Sequence, residues 1–186
     1  MAHSTISEAE FLDLALDVFR TYGFEGVSLS RLSEATGLEK PSLYYRYPGG
    51  KEQIAMAVVK RALDWFEHQV FAPLKGAGSP HQRVTLVAGN LREFYLDGKK
   101  SCIMDVLSIP GASGELKAAL KGAMQAWIHA FSVVARETGV SSAMAKARGE
   151  QAALGIEGSL ILARVLGDRG AFQRTIQSLP DFLTRP

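Results

Sequence analysis

Cysteine is nearly missing from these 186 residues. Cys102 stands alone, so no intrachain disulfide can form, and four histidines are scattered without the spacing of metal ligands. Neither a disulfide framework nor structural zinc is expected to hold the fold. Long apolar runs are missing too: the most hydrophobic stretch, Ile156 to Leu166, is interrupted by Glu157 and Arg164, which argues against a membrane span of about 18 apolar residues. Met1 to Glu10 carries no basic patch followed by an apolar core and a small-residue cleavage site, so no secretory signal is expected and the expected compartment is the cytoplasm. The sequence also lacks a nucleophile elbow, a phosphate-binding glycine loop and a zinc-binding helix motif, and Gly76-Ala77-Gly78 has no strand before it to make a dinucleotide site. Catalysis is therefore not expected. Finally, there is little excess of one charge: the net value is +2, a weak bias toward any polyanion.

What is present is a composition, 47% hydrophobic and 22% charged, that suits a folded globular chain, long enough for a small module joined to a larger unit. Helical periodicity dominates and nothing reads as a strand. Phe11, Leu12, Ala15, Leu16, Val18 and Phe19 line one helix face. Ser7 and Glu10 form a capping-box pattern before it, so a first helix is expected from Ser7 to Tyr22, stopped by Gly23. Ser28 caps a second through Ala35, with Leu29, Leu32 and Ala35 as its inner stripe and Gly37 as its end. Pro41 fits only the first turn of a third helix, Lys40 to Tyr47. Pro48-Gly49-Gly50 breaks that helix, and Lys51 opens a long fourth through Val70 that bridges two units. Further helices are expected at His81–Asp97, Cys102–Ile109, Ala112–Thr138, Ser141–Leu166 and Ala171–Leu183. The expected fold class is all-α: a DNA-binding domain over residues 1–51 and a larger helical domain over 52–186.

Two short helices around a glycine turn, braced by a preceding helix, satisfy the plan of a helix-turn-helix, in which the second short helix enters the major groove. Spacing alone leaves the alternative of ordinary packed helices with Leu32, Leu38 and Leu43 as core. Charge does not decide between them. Residues 1–51 hold five basic and seven acidic side chains, a net −2, although Arg31 to Lys51 is locally +2.

Phe19, Gly23, Phe24, Leu32, Ala35, Gly37, Leu38, Leu43, Tyr44, Tyr47 and Lys51 resemble, in order and spacing, the N-terminal signature of the tetracycline-repressor-like (TetR) family. The match covers about a quarter of the chain. It implies that Lys40, Pro41 and Ser42 face base edges and that Tyr44, Tyr45 and Arg46 reach the backbone. Ser28 and Lys51 would lie at helix starts where phosphate is favoured, and Ser30 at the position of a base-reading residue on the second helix. A lysine can donate to guanine O6 and N7, a serine hydroxyl can donate or accept, and proline offers a surface to a thymine methyl. Ser30 departs from the tetracycline repressor, which has an arginine there, so the operator of that relative does not carry over.

The resemblance further implies a homodimer through the last two long helices, reading a palindromic double-stranded operator. Between Ala143 and Leu166, small residues alternate with Leu154, Ile156, Leu160, Ile161 and Leu162, so this helix is apolar on more than one face and needs two partners; its glycines, costly in a helix, point to close backbone approach. A pocket for an unidentified small apolar or aromatic effector is expected among Trp65, Phe66, Phe94, Tyr95, Met104, Met124, Trp127 and Phe131, with no other cofactor and no metal. Plain core packing is the alternative for each. Cys102 after Lys99 and Lys100 invites a thiol-sensor reading, against which the apolar Ile103 and Met104 favour a buried, inert thiol. The expected function is a ligand-responsive regulator, repressing until the effector releases it. An interaction module that binds no DNA is the remaining rival.

Overall fold

The computed structural model describes residues 6–108 and 113–185. The expected helix ends at Ile109 and Ala112, and the residues before Ile6, lie outside that range. The described residues contain helices and no strand: α1 Glu8–Gly26, α2 Leu29–Thr36, α3 Lys40–Arg46, α4 Gly50–Phe66, α5 Ala72–Leu74, α6 Pro80–Phe94, α7 Ile103–Leu107, α8 Gly114–Arg136, α9 Ser142–Leu166 and α10 Gly170–Thr184, with a π-helical stretch Glu67–Phe71 joining α4 to α5. None is long and apolar enough to cross a membrane.

Packing divides the chain into two units, Met1–Asp64 with Ile103–Lys121, and Trp65–Cys102 with Gly122–Pro186. The first contains the whole expected 1–51 segment and extends beyond it. Its core is Phe11, Ala15, Phe19, Leu32, Leu43, Ile54 and Val58, all fully buried. α7 joins this unit because Ile103, Val106 and Leu107 are buried and the helix packs on α1. Glu52 in the first turn of α4 accepts the Ser113 N–H just before α8 (3.2 Å), and Arg61 clamps Asp13 of α1 with two hydrogen bonds of 3.0 Å.

The second unit packs α10 against both α9 and α6. Trp127, Tyr95, Phe131 and Phe172 are its largest buried side chains. Buried Arg83 ties it together from within, donating to the Leu74 carbonyl and to Glu137. α6 stops at Phe94 rather than at Asp97, because Leu96 and Asp97 both take positive φ (45° and 56°), a conformation no helix continues through. Asp97 is held there by Gln173 (2.6 Å) and Arg169 (3.5 Å) of the α10 region.

The close approach expected of the α9 glycines occurs at Gly149, against α8 of the same chain. A β-carbon there would lie 2.2 Å from Ser132 Oγ and 2.5 Å from the Ile128 carbonyl oxygen of α8, whereas one at Gly158 would meet nothing.

Candidate nucleic-acid interface

Local chemistry sets the three N-terminal helices. Ser7 caps α1: its hydroxyl accepts the Glu10 N–H (3.2 Å), and Glu10 accepts the Ser7 N–H (2.8 Å). Gly23, at φ 65° and ψ 175°, breaks the helical path three residues before the last turn of α1 ends. Ser28 caps α2 by accepting the Arg31 N–H (3.3 Å), and Gly37 closes it in the left-handed conformation (φ 70°). The inner stripe of α2 differs from expectation at one position. Ala35 is exposed and Thr36 is buried, because at 100° per residue position i+7 returns to the face of Leu29 and i+6 does not.

Thr36 also explains how the turn between α2 and α3 is built. Its hydroxyl donates to the Leu32 carbonyl (2.7 Å) and accepts the Leu38 N–H (3.3 Å), while Ser33 Oγ donates to the Leu38 carbonyl (2.6 Å). Sequence reasoning passed over Ser33 and Thr36, although hydroxyl residues flanking a helix-ending glycine were the available signal.

α3 is then seated by two side chains. Leu43 is fully buried and Tyr47, just past its end, stacks on Phe11 with ring centroids 5.2 Å apart. Burial first, and then the hydrogen bond its hydroxyl donates to Glu8, push the Tyr47 phenol well above its ordinary pKa. With those two residues inward, Lys40, Pro41, Ser42, Tyr44 and Tyr45 are all exposed. Tyr45 is 88% exposed and Tyr44 55%, so Tyr44 is not a core tyrosine packed under the helix.

Ser28 and Ser30 are exposed at the start of α2. Neighbouring Arg31 reaches back to α1, donating to the Gly26 carbonyl with its guanidinium 4.3 Å from the Tyr22 ring centre. Lys51, in the first turn of α4, lies 4.4 Å from the centre of the Phe24 ring. Arg46 is the exception among the expected contacts. It turns toward α1, with Nη1 3.7 Å from the Glu8 carboxylate and Nη2 3.5 Å from the Ile6 carbonyl.

The candidate effector residues fall into two groups. Trp65, Phe66, Phe94, Tyr95, Trp127 and Phe131 form a continuous aromatic cluster in the second unit: Trp65 stacks on Phe94 at 4.1 Å, Phe66 meets Trp127 at 5.4 Å, and Trp127 meets Phe131 at 5.9 Å. Met124, half-buried, belongs to the same unit, whereas Met104 belongs to the first. None of the eight lines the open cleft of about 1100 Å³ that runs along α6 and α10, whose walls include Arg92, Asp97, Arg169 and Gln173. Cys102 is buried, with the Tyr95 hydroxyl 3.4 Å from its sulfur. Among the described residues no group of three or more His, Cys, Asp or Glu could hold a metal ion.

Comparison with known proteins agrees with this geometry. The sequence profile of "Bacterial regulatory proteins, tetR family" matches residues 11–58, which spans α1, α2, α3 and the start of α4. The HTH-type transcriptional regulator LmrA of Bacillus subtilis is 26% identical over 188 residues, covering 96% of this chain and 97% of LmrA. RutR of Escherichia coli is 40% identical over 65 residues, 34% of this chain and 28% of RutR. Among solved structures, a TetR transcriptional regulator from Legionella pneumophila shares the fold with a TM-score of 0.83 at 17% identity, covering 98% of this chain and 97% of its own. CifR, solved with a 26-bp double-strand operator DNA, has a TM-score of 0.72 at 23% identity, covering 95% and 97%. Residues 11–58 thus carry the DNA-binding helix-turn-helix of the TetR family, and over its whole length the chain is similar to transcriptional regulators of that family rather than to enzymes.

Proposed function

We propose that this protein is a ligand-responsive repressor that binds a palindromic operator as a homodimer in the cytoplasm and is released by a small apolar or aromatic effector. The observation that carries the DNA reading is α3: a short helix anchored from below by Leu43, with Lys40, Pro41, Ser42, Tyr44 and Tyr45 all outward. In this reading Lys40, Pro41 and Ser42 meet base edges in the major groove, and Tyr44 and Tyr45 reach the sugar-phosphate backbone. Ser28, Ser30 and Lys51 approach phosphates at the starts of α2 and α4. Residues 1–51 act as the DNA-binding domain and 52–186 as the sensing and dimerisation domain. The operator complex of CifR is the precedent for this docking.

Dimerisation is supported by α9. Leu154, Ile161, Leu162, Val165 and Leu166 are exposed, and 154, 158, 161 and 165 follow the spacing of a helix-packing stripe. So much exposed aliphatic surface on one helix suits a second copy of the chain. An effector site is supported by the aromatic cluster, where the buried Trp127 Nε1–H has no hydrogen-bond partner. An unpaired buried donor costs about 1–3 kcal/mol, which a ligand bearing an acceptor would recover.

The test is selection from a random duplex library at fixed salt, with a Lys40→Ala, Tyr44→Ala double variant alongside. A palindrome enriched by the wild type and lost in the variant is the expected result. Enrichment of the same site by both would remove α3 from the reading, and no enrichment with or without candidate aromatic effectors would remove the operator.

A further inference from the structure

Arg46 and Tyr47, consecutive residues at the end of α3, both reach the same side chain on α1. The Tyr47 hydroxyl donates to one oxygen of Glu8, and Arg46 Nη1 lies 3.7 Å from the other. Arg46 also points Nη2 at the Ile6 carbonyl, 3.5 Å away. The turn of α1 that carries Glu8 is itself ordered by the Ser7–Glu10 capping box. A helix of seven residues has little intrinsic stability, so its orientation comes from tertiary anchors. Leu43 and Tyr47 fix its depth; the Glu8 contacts are made at its C-terminal end, where they set its tilt.

Charge gives this strut a second consequence. A bare carboxylate at the end of the reading helix would repel DNA from within a screening length of about 8 Å at physiological salt. Paired with Arg46 it is neutral, and a phosphate that captured Arg46 would leave Glu8 uncompensated. Building on the DNA-binding reading of α3, we propose that Glu8 is a positioning residue for the recognition helix and that Arg46 serves as its strut rather than as a phosphate ligand.

The salt dependence of binding to a random-sequence 30-bp duplex tests this without knowledge of the operator, since each phosphate contact contributes about 0.9 to the slope of log K against log salt. Arg46→Met is expected to leave the wild-type slope unchanged. Glu8→Gln keeps an acceptor for Tyr47 but frees the guanidinium, and is expected to steepen the slope by up to about 0.9 per protomer; in the double variant that gain disappears. Arg46→Met, which bares Glu8, should weaken random-duplex affinity, whereas the double variant should restore that affinity and still lower the ratio of operator to random-duplex affinity several-fold, which a merely stabilising ion pair would not do. Thermal melting of each variant confirms folding. A slope reduced by about 0.9 per protomer in Arg46→Met, with Glu8→Gln unchanged, would make Arg46 an ordinary phosphate ligand and overturn the proposal. Failure of the wild type to bind any duplex would instead overturn the DNA reading, and the proposal with it.

Discussion

The outward faces of α3 and α9 both carry large hydrophobic side chains in water, but of different chemistry. α3 shows Tyr44 and Tyr45 beside Lys40 and Ser42; α9 shows Leu154, Ile161, Leu162 and Val165 beside Gly158. A tyrosine presents an apolar ring and a hydroxyl that stays hydrogen-bonded at a wet, anionic surface. A leucine offers only area, which gains free energy when another apolar surface excludes water from it. The inner faces are alike, with Leu43 and Ile156 fully buried. Under the proposed function, the contrast separates a helix suited to a polyanion from one suited to a second copy of the chain.

The largest expected effect comes from breaking the α9 side of this comparison. Leu154→Glu combined with Val165→Glu changes two positions more than two-thirds exposed in the protomer, so each protomer should fold while the pair separates. Sedimentation should show a monomer, and operator affinity should fall on the order of 100-fold as the linked second half-site is lost. A dimer that survives both charges would place the interface elsewhere.

The two faces of α3 can be set against each other next. Leu43→Ala should destabilise the protein by about 2–5 kcal/mol, whereas Tyr45→Ala, on the outer face of the same short helix, should change stability by less than about 0.5 kcal/mol. Urea unfolding of both variants measures the difference. Equal losses would mean that Tyr45 is a structural residue.

Smaller effects sharpen the view of α9. Gly149→Ala drives a β-carbon against the backbone of α8 and should cost about 1–3 kcal/mol. Gly158→Ala meets nothing in the protomer and should raise helix stability by up to about 1 kcal/mol. Thermal melts of the two variants should therefore shift in opposite directions if the second copy leaves room for a methyl at 158, and a downward shift for Gly158→Ala would show that the copies approach backbone to backbone there.

The parts of this molecule that were legible in the sequence are those governed by neighbours in the chain. The Ser7–Glu10 cap, the Ser28 cap, the break at Gly23 and the stop at Gly37 all depend on residues a few positions apart, and they stand where expected. Most of the candidate interface was legible for the same reason: Pro41 fixes the start of α3, and Leu43 with Tyr47 sets which face turns inward. Where the reading failed, distant residues decided. Arg46 looks like any cation at a helix end until Glu8, far back in the chain, takes it. The α9 glycines signalled close approach, but whether to α8 or to a partner copy depends on which side each faces. Leu96 and Asp97 end α6 at positive φ without a glycine to signal the stop, and the Asp97 carboxylate is taken by Gln173 and Arg169, far along the chain.

The sequence by itself determined an all-α chain, the caps and glycine stops of its N-terminal helices, and an N-terminal signature that resembles the family, because hydrophobic period, capping and glycine conformation act over a single turn. Only the tertiary structure decided that α7 belongs with the DNA-reading helices, that Arg46 is bound to Glu8, and that the aromatic side chains form one cluster around an unpaired indole N–H. Each of these rests on contacts between residues remote in the chain, whose meeting is fixed by how whole helices pack.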